Sequence, residues 1–232
     1  MTDKVSKVEP LKAGGEIPGA KNAVFVCIYT RDCQPFDVDN PEIPAAIRLL
    51  KTNKLALFAR HDSTIGFPGG SCEKEDFEQG VSFLDGLKRT AQREVRQETG
   101  FTADADKLEL LCSHLVNGKT ATHLFGCEVD YETLMRIDSQ ASAARQFHSE
   151  STGIILPTTM AWPGKDGDFD FGKGIFACFQ YPAPVSFREE LFEALDRLRL
   201  ADISILKEIE RRFLPPAYAQ KRAVAAVPPS PP

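Results

Sequence analysis

Two glutamates one helical turn apart are the first residues in this chain whose spacing suggests chemistry. They lie in Arg93-Glu94-Val95-Arg96-Gln97-Glu98-Thr99-Gly100-Phe101. On a helix, Glu94, Gln97 and Glu98 stand at i, i+3 and i+4 and project from one side. Two carboxylates so placed suit a hard divalent cation such as Mg2+ or Mn2+. Upstream, Gly69-Gly70 lets backbone pass close to that helix and offers a carbonyl to the same ion. A cation held there would bridge phosphate oxygens, neutralise developing charge and activate a water. The plainer alternative is a solvated helix face with i,i+4 pairs, as Asp85 and Arg89 would make. Glu94 and Glu98 fit that alternative less well, because like charges at i,i+4 repel unless a cation sits between them.

The helix that carries these residues is the clearest element in the sequence. Over 85–98, Leu87, Ala91 and Val95 recur every four residues, and Gly100 sits where a C-terminal cap belongs. Strands are expected at Ala23–Tyr29, Lys54–Ala59, Leu108–Leu111, Thr122–Val129, Gly153–Leu156 and Gly174–Phe179, with a turn at Asn117-Gly118. Short apolar residues at 43–50 follow a loop containing Pro35 and Pro41, a Gly/Pro-rich turn spans Ile65–Gly70, and Ser71–Gly80 is polar without periodicity. A short helix is expected near Tyr131–Ile137. Ser186-Phe187-Arg188-Glu189 has the spacing of a capping box and opens a helix with Phe187, Leu191, Leu195 and Leu198 on one face. A last helix, Asp202–Phe213, turns Leu206, Ile209 and Phe213 inward.

Strands interleaved with helices argue an α/β or α+β sandwich. With 232 residues, one domain with appendages is expected. Residues 1–21 read as a loose polar arm, and the Pro/Ala-rich stretch 214–232 reads as a disordered tail. No apolar run approaches the length that spans a bilayer, and the start lacks the apolar stretch of a signal peptide, so an intracellular protein, nuclear or cytoplasmic, is expected. Twenty-eight Lys+Arg against 33 Asp+Glu leave a net charge of −5, which argues against a generic nucleic-acid coat but not against a local basic groove. The six cysteines contain no Cys-x-x-Cys and read as reduced thiols, not as a zinc site or disulfide framework.

The segment around Arg93 resembles the Nudix box, G-x5-E-x7-R-E-U-x-E-E-x-G-U, with U apolar. Arg93-Glu94 matches R-E, Val95 and Phe101 fill U positions, and Glu98 and Gly100 match the second half. Three departures stand out. Asp85, eight residues before Arg93, takes the place of the first glutamate; nine extra residues separate it from Gly70; and Gln97 replaces the first of the paired glutamates. Within this superfamily the flanks are most similar to the nuclear U8-snoRNA decapping hydrolases, which also act on inosine diphosphate. That similarity covers roughly residues 22–200 and rests on Arg60, Phe67-Pro68-Gly69-Gly70, a turn at Cys112-Ser113-His114, His123-Leu124-Phe125 and Phe187–Leu191.

The resemblance implies a Nudix fold, a mixed sheet sandwiched between helices, over residues 22–213. It implies Mg2+ or Mn2+ held by the Gly69 carbonyl, Glu94 and Glu98, with Gln97 in the third ligand position. Glu98, assisted by Glu94, would be ligand and base, and Arg93 would orient them. His114 would line the same pocket, and Arg60 and Phe67 would meet nucleotide phosphate and base. Phe25 stands where the relatives have a base-reading histidine, and Glu190 where they have a glutamine, so weaker purine discrimination is expected. The activity implied is a pyrophosphohydrolase acting on RNA 5′ caps or free nucleotides such as IDP, as a homodimer away from membranes. A Nudix-fold protein that binds RNA ends or nucleotides without turnover is the alternative, with Gln97 as the sign of decay. Plainer readings stay open for His114 and His123 as strand histidines, for Phe25 as core, and for Arg60 as a partner of the acids in Ser71–Gly80.

Overall fold

The apolar run at Ala23–Tyr29 does form a strand, and it is the spine of the larger of two sheets. The computed structural model describes residues 7–12, 14–33, 51–78, 80–144, 146–164 and 168–225. The strands are β1 (Val8–Leu11), β2 (Lys21–Cys33), β3 (Thr52–Leu55), β4 (Leu57–Arg60), β5 (Ile65–Gly66), β6 (Gly69–Ser71), β7 (Leu108–Val116), β8 (Thr120–Glu128) and β9 (Ser151–Ile155). The helices are α1 (Phe83–Thr99), α2 (Tyr131–Gln140), α3 (Phe147–Glu150), α4 (Gly174–Cys178), α5 (Phe187–Arg197), α6 (Ile203–Phe213) and α7 (Pro216–Ala225).

The larger sheet runs β1-β7-β8-β2-β3, with β6 also paired to β2; the smaller runs β5-β4-β9. Only β2 and β8 run parallel in these ladders, with Phe25 opposite Leu124. Alternation along β2 feeds two cores. Val24, Val26 and Ile28 face α1 through Leu87, Ala91 and Val95. Cys27 and Tyr29 face Leu191, Leu195 and Leu198, with Leu206 and Ile209 of α6 beside them. Helices therefore cover both faces of a mixed sheet, the α/β sandwich expected from the sequence. Each fully buried Leu or Val contributes roughly 1.5–3 kcal/mol, so Leu87 and Val95, both at 0% exposure, set the rotation of α1 firmly.

Several expectations need correcting. Lys54–Ala59 is two strands: the chain leaves β2 at Ala56 and crosses into the smaller sheet. Ile65–Gly70 holds β5 and the start of β6, and the Cys112–His114 turn is the interior of β7. Gly174–Phe179 is not a strand; Ile175, Phe176, Cys178 and Phe179 are buried from the short helix α4 and its end, and a short apolar run cannot be told from a strand by pattern alone. Ser186 makes no capping box, because it adopts φ 81° and its Oγ donates to Glu190 Oε1 at 2.9 Å. Val8–Leu11 in the expected loose arm is a strand on β7, with Val8 opposite Val116 and Leu11 opposite Ser113. Pro216–Ala225, read as tail, is a helix: Pro suits a first helical turn, Ala is the best helix former, and Tyr218 anchors it at 2% exposure. The apolar patch at 43–50, residues 1–6 and the last Pro-rich residues 226–232 lie outside the described residues.

All six cysteines are free thiols, five of them buried. Among the described residues no helix is long and apolar enough to cross a membrane.

Candidate active site

Helix α1 is capped at both ends. Ser82 Oγ accepts from the Asp85 N–H (3.1 Å) and donates to the Asp85 carboxylate (2.6 Å). At the other end Gly100 adopts the left-handed conformation and its N–H reaches the Arg96 carbonyl. With Leu87, Ala91 and Val95 buried against β2, Glu94 and Glu98 turn toward β6. The backbone there must be glycine. Gly69 has φ 145°, and a Cβ on it would lie 2.1 Å from the Val24 carbonyl oxygen. A Cβ on Gly70 would lie 2.8 Å from the Glu94 carboxylate, so the space a side chain would fill is where that carboxylate sits. Glu98 is fully buried and its Oε2 accepts from the Gly69 N–H at 2.7 Å.

Arg93 binds this arrangement together. Its Nη1 donates to Glu94 Oε1 (2.7 Å) and to Gln97 Oε1 (3.5 Å), and its Nη2 donates to the Ser71 carbonyl (3.0 Å). The remaining donors go to a residue that the sequence reading passed over. Asp76 Oδ2 accepts from Arg93 Nη2 and Oδ1 from Arg93 Nε, at 2.9 and 3.3 Å. Thr90 Oγ1 and the Glu73 N–H also donate to Asp76 Oδ2, both at 2.9 Å. Burial alone would raise the Asp76 pKa, but Arg93, Glu73 N–H and Thr90 hold it below the ordinary carboxylate value.

The alignment to the box changes accordingly. Asp76 stands six residues after Gly70, the spacing of G-x5-E. Asp85 is exposed on the first turn of α1 and serves Ser82, and Arg89 pairs with Glu78 (3.3 Å), not with Asp85. The extra residues thus lie between the acid and Arg93, where Phe77 stacks on Phe83 (ring centroids 5.6 Å apart) and closes the insertion against the start of α1. The signal was present as Gly70-x5-Asp76; counting back from Arg93 hid it.

A cavity of about 470 Å3 opens at this point, lined by Phe25, Arg60, Gly69, Gly70, Ser71, Glu73, Arg93, Glu94, Gln97 and Gln146 among others. Of the residues singled out in the sequence it gathers Phe25, Arg60, Gly69, Arg93, Glu94 and Gln97, with Glu98 behind Gly69. Arg60 does not pair with the acids of 71–80. Its Nη2 donates to the Phe67 carbonyl (3.2 Å), while its Nε is buried without a hydrogen-bond partner among the described residues.

Three of the expected contacts are not brought there. Phe67 is buried at 1% exposure with its ring 5.4 Å from Phe187, so it is a core residue and not a base platform. His114 points the other way from β7: its Nε2 is 2.7 Å from the Tyr218 hydroxyl, which itself donates to Glu193 Oε1 (3.1 Å). That hydroxyl has one proton, so His114 donates from Nε2; burial lowers its pKa to about 4 and keeps it neutral. His123 is likewise a satisfied strand histidine, between Ser113 Oγ and Asn22 Oδ1. Glu190 is buried at 3% exposure beside Ser186, and burial pushes its carboxyl up to about 7 against the opposing hydrogen bond from Ser186. A larger cleft of about 570 Å3, at the other end of β2 around Thr30, Arg31 and Asp104, holds neither of the helix glutamates.

The family model described as Nudt16-like, U8 snoRNA-decapping enzyme-like, matches residues 43–176, more than half of the chain. No curated protein sequence matches. Among solved structures, the chain is similar to the NUDIX domain of Shewanella oneidensis NrtR complexed with ADP ribose (14% identity, 78% of this chain and 90% of that one, TM-score 0.45). It is also similar to a mutT/nudix family protein from Listeria innocua (13%, 77% and 94%, TM-score 0.45) and to one from Enterococcus faecalis (13%, 85% and 81%, TM-score 0.42). On the family match, with Arg93, Glu94 and Glu98 of its box assembled at Gly69-Gly70, the chain belongs to the Nudt16-like, U8 snoRNA-decapping enzyme-like family of Nudix proteins.

Proposed function

We propose that this protein is a divalent-cation-dependent pyrophosphohydrolase that cleaves a phosphoric anhydride in a capped RNA 5′ end or in a free nucleotide such as IDP. The observation that carries this reading is the pairing of two buried helix glutamates with Gly69-Gly70, Glu94 on the wall of a cavity that also contains Arg60 and Glu98 behind Gly69. Glu94, Glu98 and a Gly69 carbonyl are all hard oxygen donors, and Gly70 leaves room beside the Glu94 carboxylate, so these residues fit Mg2+ or Mn2+. Among the described residues no group of three or more His, Cys, Asp or Glu is placed to hold a metal ion, so the donor set here is the two glutamates and backbone or amide oxygens. A bound cation supplies charge neutralisation at phosphate and lowers the pKa of a water.

The chain's own residues do the rest. Arg60 offers a positive charge to phosphate at the cavity wall. Arg93 holds Glu94 in place; Glu98, expected as both ligand and base, is fully buried behind Gly69 and would serve as ligand, so that Glu94, which lines the cavity, would take the proton of the attacking water in its stead. Phe25, a partly buried ring on the cavity wall, can stack on a base but donates no hydrogen bond to it. Homodimerisation is proposed from the resemblance, and residence in nucleus or cytoplasm from the sequence.

Mn2+-dependent release of phosphate or a 5′-monophosphate end from IDP, ADP-ribose and m7G-capped RNA tests the reading, and Glu98→Gln is expected to abolish it. Nucleotide binding without any turnover by the wild type would establish the second reading, a binding protein, which Gln97 favours.

A further inference from the structure

The hydrogen bonds of Arg93 decide which way the Gln97 amide faces. A guanidinium has five N–H donors and no acceptor. Here Nε goes to Asp76 Oδ1, Nη2 to Asp76 Oδ2 and the Ser71 carbonyl, and Nη1 to Glu94 Oε1 and Gln97 Oε1, with Glu73 Oε1 also 3.4 Å from Nη1. The Gln97 atom turned to Arg93 is its oxygen, which shares Nη1 with Glu94 and Glu73. The oxygen a cation would need is therefore turned toward a guanidinium, whose positive charge disfavours a cation beside it. What remains is the Gln97 NH2, which donates to nothing among the described residues and belongs to a side chain on the cavity wall. The Gln146 N–H donates to the Gln97 carbonyl at 2.9 Å and brings into the same cavity a second amide side chain, one without a hydrogen bond among the described residues. Arg60, with its buried unsatisfied Nε, lines it too.

We propose that Gln97 is a phosphate-binding donor and not a metal ligand, forming with Gln146 and Arg60 a subsite for the oxygens of a diphosphate. This rests on the anhydride-hydrolase reading and adds to it the part of the substrate that Gln97 touches. A carboxylate at position 97 would attract the cation and repel the phosphate. The amide reverses both preferences: it gives up one ionic ligand and gains a donor aimed at an anionic oxygen.

The test is pyrophosphate binding to the full chain in EDTA, by calorimetry, with Mn2+ binding measured separately by electron paramagnetic resonance. Gln97→Leu is expected to weaken pyrophosphate binding by about tenfold or more, the usual loss for a hydrogen bond to a charged acceptor, and to leave Mn2+ affinity unchanged. Gln97→Glu keeps the bond from Arg93, which guards against a misfolded leucine variant, and is expected to weaken pyrophosphate binding further. Unchanged pyrophosphate affinity in Gln97→Leu, a fall in its Mn2+ affinity, or no pyrophosphate binding by the wild type in EDTA would overturn the proposal. Turnover is not the readout. A chain that binds pyrophosphate in this way yet hydrolyses nothing upholds the subsite and overturns only the hydrolase reading.

Discussion

Replacing Asp76 by alanine removes all four hydrogen bonds that its carboxylate accepts, two of them from Arg93. Arg93 then keeps Glu94 and the Ser71 carbonyl but loses its most buried partner, with its own side chain only 17% exposed. Breaking a buried pair from one side costs about 3–5 kcal/mol. The partners that remain place Asp76→Ala near the lower end, about 3 kcal/mol, or roughly 6–12 °C in Tm for a chain of this size. Asp85→Ala is the control. Asp85 is exposed and only supports the helix start, which is worth at most about 1 kcal/mol. Urea denaturation followed by circular dichroism measures both, and the m-value shows whether the transition stays two-state. Activity should follow the same order, because Arg93 also holds Glu94. The pH dependence adds a second readout. The Asp76 pKa is lowered in the fold, so its contribution is fully present above the ordinary carboxylate pKa and is lost as pH falls through the lowered folded value. Asp76→Asn should therefore lose stability at neutral pH and show a shallower acid limb. If Asp85→Ala costs as much as Asp76→Ala, the assignment of Asp76 to Arg93 is refuted.

Three further expectations follow from the same geometry. Gly70→Ala should fold, yet displace Glu94 from its place against β6 and lower any Mn2+-dependent activity at least about tenfold, with Mn2+ affinity falling in parallel. Glu190→Gln should stabilise the protein at pH 8: the raised folded pKa of about 7 means that the protonated form is favoured, and stability is lost as pH rises through that value. The gain should be on the order of 3 kcal/mol at pH 8 and vanish below about pH 4.5, as read from urea midpoints at the two pH values. Tyr218→Phe removes the hydroxyl shared by His114 and Glu193 and should cost about 1–2 kcal/mol in thermal or urea melts; no loss would mean that α7 is held by its apolar contact and its ion pairs alone.

The carboxylate helix was legible because its evidence is local. Leu87, Ala91 and Val95 repeat at the helical period, Gly100 ends the helix, and Glu94 and Glu98 follow from the same period. The hairpin at Asn117-Gly118 was legible for a similar reason: both residues take positive φ, 52° and 67°, as that dipeptide allows. The helix at Gly174–Cys178 was not, since a five-residue apolar stretch suits either element and its neighbours decide. Phe67, His114 and Glu190 were misplaced because residue type at a matched position does not show whether a side chain faces a cavity or the packed core.

What the sequence determined alone is therefore the acidic face of α1 and the glycine pair that can approach it, because both depend on backbone preferences within a few residues. The tertiary structure decided which acid reaches Arg93. Asp76 and Asp85 are equally plausible by count, one measured from Gly70 and the other from Arg93, and only the path of the chain through Lys74–Phe77 brings Asp76 onto the guanidinium. It also decided which atom of Gln97 faces the cavity, since that depends on where the Arg93 guanidinium lies, a fact that no spacing along the chain contains.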